Sequence, residues 1–111
     1  MAELPDGLPG MIKIGYMDFT LESWDARAAN SARRYGECSH IEQTIRVEFC
    51  HGRKSANTLI HEIMHAVAAM QNVEDGATEE QFVTSVANGL STVWRDNPDV
   101  FAWIGKTLAD G

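Results

Sequence analysis

Apolar and polar positions alternate in two stretches of the chain and recur at helical spacing further along. Near the N-terminus, Ile12, Ile14 and Tyr16 alternate with Lys13, Gly15 and Met17, the period-two pattern of a strand. A cleaner alternation runs from Ile41 to Phe49. Ile41, Ile45, Val47 and Phe49 fall on one face, interrupted only by Gln43, while Glu42, Thr44, Arg46 and Glu48 fall on the other. One packed face and one wet face predict a half-buried strand. Between the two, Asp18-Phe-Thr20 reads as a cap, Leu21 to about Ala29 as a short helix carrying Trp24, and Asn30 to Ser39 as a loop containing Gly36.

The second half has helical signals. His51-Gly52-Arg53-Lys54 is a predicted turn, and Ser55 is the expected N-cap of a long helix from about Ala56 to Gln71. Asp75-Gly76 marks a break. Thr78, followed three residues later by Gln81, fits a capping box for a helix from about Glu79 to Arg95, whose apolar face is Phe82, Val83, Val86, Leu90 and Val93. Asn97-Pro98 reads as an N-cap followed by proline at the first helical position, so a last helix is expected to about Leu108. Trp94, Phe101 and Trp103 sit at helical spacing and read as core. The order is strand, short helix, strand, then three helices, which indicates an α+β domain. It is expected over residues 11–111, after a flexible lead-in over 1–10 containing Pro5, Gly7, Pro9 and Gly10.

Composition narrows the function classes. The net charge of −7 repels phosphate backbones and argues against nucleic-acid binding. The basic pairs Arg33-Arg34 and Arg53-Lys54 read as solvated loop residues. No apolar run approaches the roughly 20 residues of a membrane span, and the first ten residues lack the pattern of a signal peptide. Cys38 and Cys50 flank the second strand, whose length alone holds its ends about 26 Å apart, against the roughly 7 Å a disulfide allows. Two unpaired thiols suggest a reducing, cytoplasmic setting. Cys50 with His51 could contribute to a metal site, although adjacent residues seldom ligate one ion together.

The residues with the clearest chemistry are His61-Glu62-Ile63-Met64-His65, an HExxH motif. Residues four apart stand one turn above each other on the same side of a helix, so the two imidazoles can converge on one ion. Zinc accepts histidine nitrogens at about 2.0–2.1 Å. Glu62, next to the first ligand, is the expected general base toward a zinc-activated water. Leu59, Ile63, Val67 and Met70 form the apolar stripe, with Ile60 and Met64 beside them. By that pattern His61 and His65 lie past its edge and Glu62 on the far side, bordering a cleft. The competing reading is a hydrogen-bonded histidine pair without a metal. Chance alone gives an HExxH in about one chain in a hundred of this composition.

Two histidines leave the ligand set incomplete. Glu74, Asp75, Glu79 and Glu80 are the acidic residues close downstream, and no His, Cys or Tyr follows His65. Glu80, nearer the edge of its helix's apolar face, is favoured over Glu79 as third ligand; either also suits the helix dipole. His40, His51, Tyr16 and Tyr35 are weaker candidates for assisting an oxyanion. The wet face of the Ile41–Phe49 strand could take up an extended peptide by strand addition.

Thr58-Leu-Ile-His-Glu-Ile-Met-His-Ala66 resembles the active-site helix of gluzincin-like metallopeptidases. With Glu79-Glu-Gln-Phe-Val83 and Arg95-Asp-Asn-Pro98, the stretch from Thr58 to Trp103 resembles small HExxH proteins of phages and prophages, loosely related to the ImmA/IrrE-type and SprT-like minimal zincins. The resemblance implies a compact zincin domain, with a short, mostly antiparallel sheet packed on an active-site helix and two further helices. It implies one zinc per chain, held by His61, His65 and a Glu of the next helix, with Glu62 catalytic. The expected function is a zinc metallopeptidase acting on a peptide or protein; the alternative is a zinc-binding regulatory or adaptor protein with little or no turnover. So small a chain has little room for a substrate cleft, which favours a specific partner or a homodimer.

Overall fold

A computed structural model describes residues 3–25 and 35–110. Four strands form one sheet: β1 (Met11–Ile14), β2 (Met17–Ser23), β3 (Gly36–Ser39) and β4 (Thr44–Val47). Three helices follow: α1 (Arg53–Met70), α2 (Glu79–Asp96) and α3 (Pro98–Asp110). The fold is α+β, as the order of patterns predicts. The sheet order is β1-β2-β4-β3. β1–β2 and β3–β4 pair antiparallel, and β2–β4 pair parallel.

The short helix expected from Leu21 is a strand instead, and its expected end beyond Asp25 lies outside the described residues. Phe19 and Leu21 are buried while Asp18, Thr20 and Glu22 are exposed, so the true period is two. What decides the matter is the turn before it. Gly15 and Tyr16 connect β1 to β2 as a two-residue hairpin loop, with Gly15 at φ +62. Glycine adopts this backbone at no steric cost.

The loop expected over Asn30 to Ser39 ends in a strand, β3; its residues 30–34 lie outside the described part. The strand expected over Ile41–Phe49 shortens to Thr44–Val47, because residues 40–43 turn the chain from β3 into β4. Gln43, the one break in the alternation, has φ +52, and Ile41 is 98% exposed at the turn. The expected wet face is only partly wet, since Thr44 and Glu48 are buried. Arg46 keeps to it. Its guanidinium reaches Glu22 of β2 at 2.8 Å, Glu37 of β3 at 2.7 Å and Glu42 of the turn at 3.4 Å. The register places Glu22, Arg46 and Glu37 side by side across three strands. β3 has little apolar surface of its own, and this network helps hold it in place.

The other face of the sheet carries the core. Ile12, Ile14, Phe19, Leu21, Ile45 and Val47 meet Leu59, Ile63, Ala66 and Val67 of α1, Val93 of α2, and Val100, Phe101 and Ile104 of α3. Leu4 and Leu8 of the lead-in pack against this cluster. α1 starts at Arg53 with Gly52 as N-cap, so Ser55 lies inside the helix, buried, rather than capping it. Both bonds of the capping box at Thr78 and Gln81 are present, at 3.1 and 2.9 Å.

α2 meets α1 late. A Cβ on Gly89 would stand 2.5 Å from Val67 Cγ1 and 3.1 Å from Gln71 Cγ, so at this crossing only glycine leaves room. The first turns of α2 run past the end of α1, which leaves Phe82 and Val83 of the expected apolar face about half exposed. Trp94, expected in the core, is also exposed and stacks on Phe101 with centroids 4.3 Å apart. Trp103 packs edge-on against Phe49 at 5.5 Å.

Asn97 joins the last two helices to the sheet. Its carbonyl accepts from Val100 N at 3.1 Å, opening α3. Its side chain does not cap the helix. Asn97 Oδ1 accepts from Lys13 N at 2.9 Å, and Asn97 Nδ2 donates to Lys13 O at 2.7 Å and Val93 O at 2.8 Å. The carboxamide thus acts toward β1 as a neighbouring strand would. Asn97→Ala should destabilise the protein by about 2–4 kcal/mol, because it removes three bonds, two of them part-buried and one buried. Urea unfolding measures this; a loss within about 0.5 kcal/mol, the range of ordinary surface substitutions, would show that the carboxamide does not hold the junction.

Candidate metal centre

α1 crosses beside β3, and the groove between them is a cleft of about 570 Å³ lined by Gly36, Glu37, Cys38, His61, Glu62 and His65 among others. The helical period explains which side chains reach it. Ser55, Ala56, Leu59, Glu62, Ile63, Ala66 and Val67 are the buried positions of α1. Glu62 is therefore a continuation of the buried stripe and not on its far side. The small residues Ser55 and Ala66 widen that stripe, and a pattern drawn from large apolar residues alone leaves them out. His61 and His65 are exposed at the cleft's rim.

The two imidazoles converge: their Nε2 atoms are hydrogen-bonded to each other at 3.0 Å, with rings near perpendicular, a contact that a metal-free histidine pair also makes. One donor atom from each of His61, Glu62 and His65 lies within 4.8 Å of the others. Two nitrogens at zinc-ligand distance stand about 3.3 Å apart at the tetrahedral angle, so this pair needs little adjustment to share an ion. The two imidazoles fit zinc as ligands, and the carboxylate stands within reach of a water at such an ion.

Glu80 is not brought into this group. It stands in the exposed first turn of α2, where Oε1 accepts from Thr84 Oγ1 at 3.4 Å, and Glu79 is exposed beside it. Cys38 and His40, on and just after β3, do line the cleft. His40 packs edge-on to Phe19 at 5.8 Å. Burial pushes the Cys38 thiol up to about 11, and the nearby charges of Glu62 and Glu37 add to the effect. Tyr35 also lines the cleft, whereas Tyr16 is exposed in the β1–β2 turn and His51 belongs to a separate cluster.

Gly36, expected only as a loop residue, opens β3 at the tightest point of the cleft. A Cβ there would meet Thr58 Cγ2 at 2.6 Å, and both Arg46 O and Glu62 Oε2 at 3.1 Å. A bare backbone at this point lets α1 and the Glu62 carboxylate lie directly against β3. No sequence signal marks it, because Gly36-Glu-Cys-Ser39 has neither alternation nor apolar content. Compared with known protein families, curated proteins and solved structures, the chain finds no match.

Two outcomes follow from this geometry. Gly36→Ala should cost about 1–3 kcal/mol through overpacking and displace Glu62; denaturant unfolding with wild-type stability would contradict the close approach. Cys38 makes alkaline pH destabilising. The unfolded thiol releases its proton near 9.0 and the folded one near 11, so the folded state binds more protons between these values and stability falls as pH rises through them. In metal-free protein, Cys38→Ser should lessen that fall, as followed by unfolding midpoints from pH 8 to 11.

Proposed function

We propose that the protein is a zinc-dependent hydrolase of peptide bonds, with His61 and His65 as ligands and Glu62 as general base. The observation that carries this reading is the convergence of the two Nε2 atoms, 3.0 Å apart, at a cleft that also receives the Glu62 carboxylate. A zinc ion bound there would lower the pKa of a coordinated water to about 7. Glu62 would accept a proton from the attacking water and return it to the departing nitrogen. Its burial against β3 fixes the carboxylate's position through both transfers.

Glu80 is proposed as the third ligand on the sequence pattern alone. Glu37, Cys38 and His40 also line the cleft, outside the close donor group of His61, Glu62 and His65. The substrate is an extended segment of a peptide or protein. Strand addition, expected on the Ile41–Phe49 strand, moves to β3, because β4 is flanked by β2 and β3 whereas β3 is the outermost strand beside the cleft. No helix among the described residues is long and apolar enough to cross a membrane. Two free thiols support a cytoplasmic setting.

Zinc content is the first test. Protein purified without chelators should lose one zinc per chain on His61→Ala, and absence of that zinc even after it is added back overturns the reading. Glu80→Ala, Cys38→Ser and His40→Ala, assayed the same way, identify the third donor. Glu62→Gln should keep its zinc and lose about 10²–10⁴-fold in kcat/KM on a fluorogenic peptide library. Full activity in this variant would exclude Glu62 as the base. Zinc without any hydrolysis by the wild type would favour the adaptor reading.

A further inference from the structure

A second group of ligand-type side chains lies where β4 passes into α1. By alternation Glu48 belongs on the wet face, yet it is 3% exposed. The chain leaves β4 after Val47, and Glu48 N donates to Tyr35 O at 2.8 Å. The Glu48 carboxylate turns toward the next residues of the turn. Oε1 meets the Cys50 Sγ at 3.3 Å and is hydrogen-bonded to His51 Nε2. Cys50 Sγ and His51 Nε2 are 3.5 Å apart. Glu48 Oε2 is buried and has no hydrogen-bond partner among the described residues.

The turn is built to hold these three together. The Ser55 hydroxyl, buried in the first turn of α1, donates to Glu48 O at 2.8 Å and accepts from His51 N at 2.9 Å. The His51 ring is fixed edge-on against Tyr35 at 5.0 Å. Adjacency of Cys50 and His51 does not separate their donor atoms, because the backbone curls here into Gly52 at φ +58 before the helix begins.

The arrangement differs from a nucleophile relay. In a relay the thiol faces one imidazole nitrogen and the carboxylate faces the other. Here the same nitrogen, Nε2, faces both, so sulfur, nitrogen and oxygen form one mutually contacting group. All three donor atoms lie within 4.8 Å of one another. A buried carboxylate oxygen without a partner is costly unless a cation neutralises it, and thiolate, imidazole and carboxylate together match zinc and its analogues.

We propose that Glu48, Cys50 and His51 form a second site for a zinc-type divalent cation, separate from the HExxH cleft and independent of its function. Three protein donors leave the fourth tetrahedral position to water or to a donor from a partner. A cation there fastens the end of β4 to the start of the helix that carries His61 and His65.

Cobalt(II) tests this, because the new site has a sulfur ligand and the two histidines of the cleft do not. Chelator-treated wild-type protein titrated with Co²⁺ should develop a thiolate-to-cobalt charge-transfer band. The band should persist in the His61→Ala/His65→Ala double variant and in Cys38→Ser, and vanish in Cys50→Ser, whose exposed position leaves folding intact by circular dichroism. His51→Ala and Glu48→Gln should each weaken cobalt affinity about tenfold or more. His51→Ala serves alone where the buried Glu48→Gln fails to fold. No band in the wild type, a band that survives Cys50→Ser, or unchanged affinity in His51→Ala overturns the proposal. A band lost in Cys38→Ser instead assigns the sulfur to the cleft. Loss of zinc from the double variant with the cobalt band retained separates the two sites.

Discussion

α1 lies against β3 with no side chain between them at Gly36, and the cleft depends on this close approach. The backbone of β3 stands where an alanine methyl would meet Thr58, Arg46 and Glu62 at once. Apolar burial supplies the driving force: Leu59, Ile63, Ala66 and Val67 of the helix join Ile45, Val47 and the other sheet residues in one buried cluster. The same rotation of the helix that buries these residues carries Glu62 in toward β3 and leaves His61 and His65 at the rim. The position proposed for the base and the two positions proposed for the ligands thus follow from one packing choice.

The parts of the fold legible in the sequence are those with punctuation. α2 is announced by Thr78 and Gln81, α3 by Asn97-Pro98, and α1 by its apolar period and its HExxH spacing. The strands were harder. Met17–Ser23 carries only two buried apolar residues, too few to separate a strand from a short helix without the hairpin turn at Gly15. β3 carries almost no pattern, because it borders a cleft and its one charge, Glu37, answers Arg46 across the sheet. The candidate site was legible as far as local spacing reaches, through His61, Glu62 and His65. Gly36, Cys38 and the burial of Glu48 depend on contacts between segments distant in sequence or on where a strand ends, and spacing does not encode either.

Two buried carboxylates flank the N-terminal half of α1. Glu62 lies inside the helix, and Glu48 lies just before it. In a chain of net charge −7, such burial runs against electrostatic economy unless cationic partners compensate. Each carboxylate has histidine nitrogen within reach, and each belongs to a cluster of ligand-type donor atoms. The two clusters bracket the same two turns of helix, so whatever neutralises one also steadies the framework on which the other is built.

The side chain of Asn97 has a meaning beyond stability. An outermost strand is a template on which another chain can hydrogen-bond, and unprotected strands of this kind nucleate aggregation. By occupying both the donor and the acceptor of Lys13, the carboxamide blocks that template on β1. The opposite border of the sheet is β3, beside the histidines. One amide thus closes one border of the sheet to main-chain pairing at Lys13, and the border left for the peptide docking proposed above is the one beside the histidines.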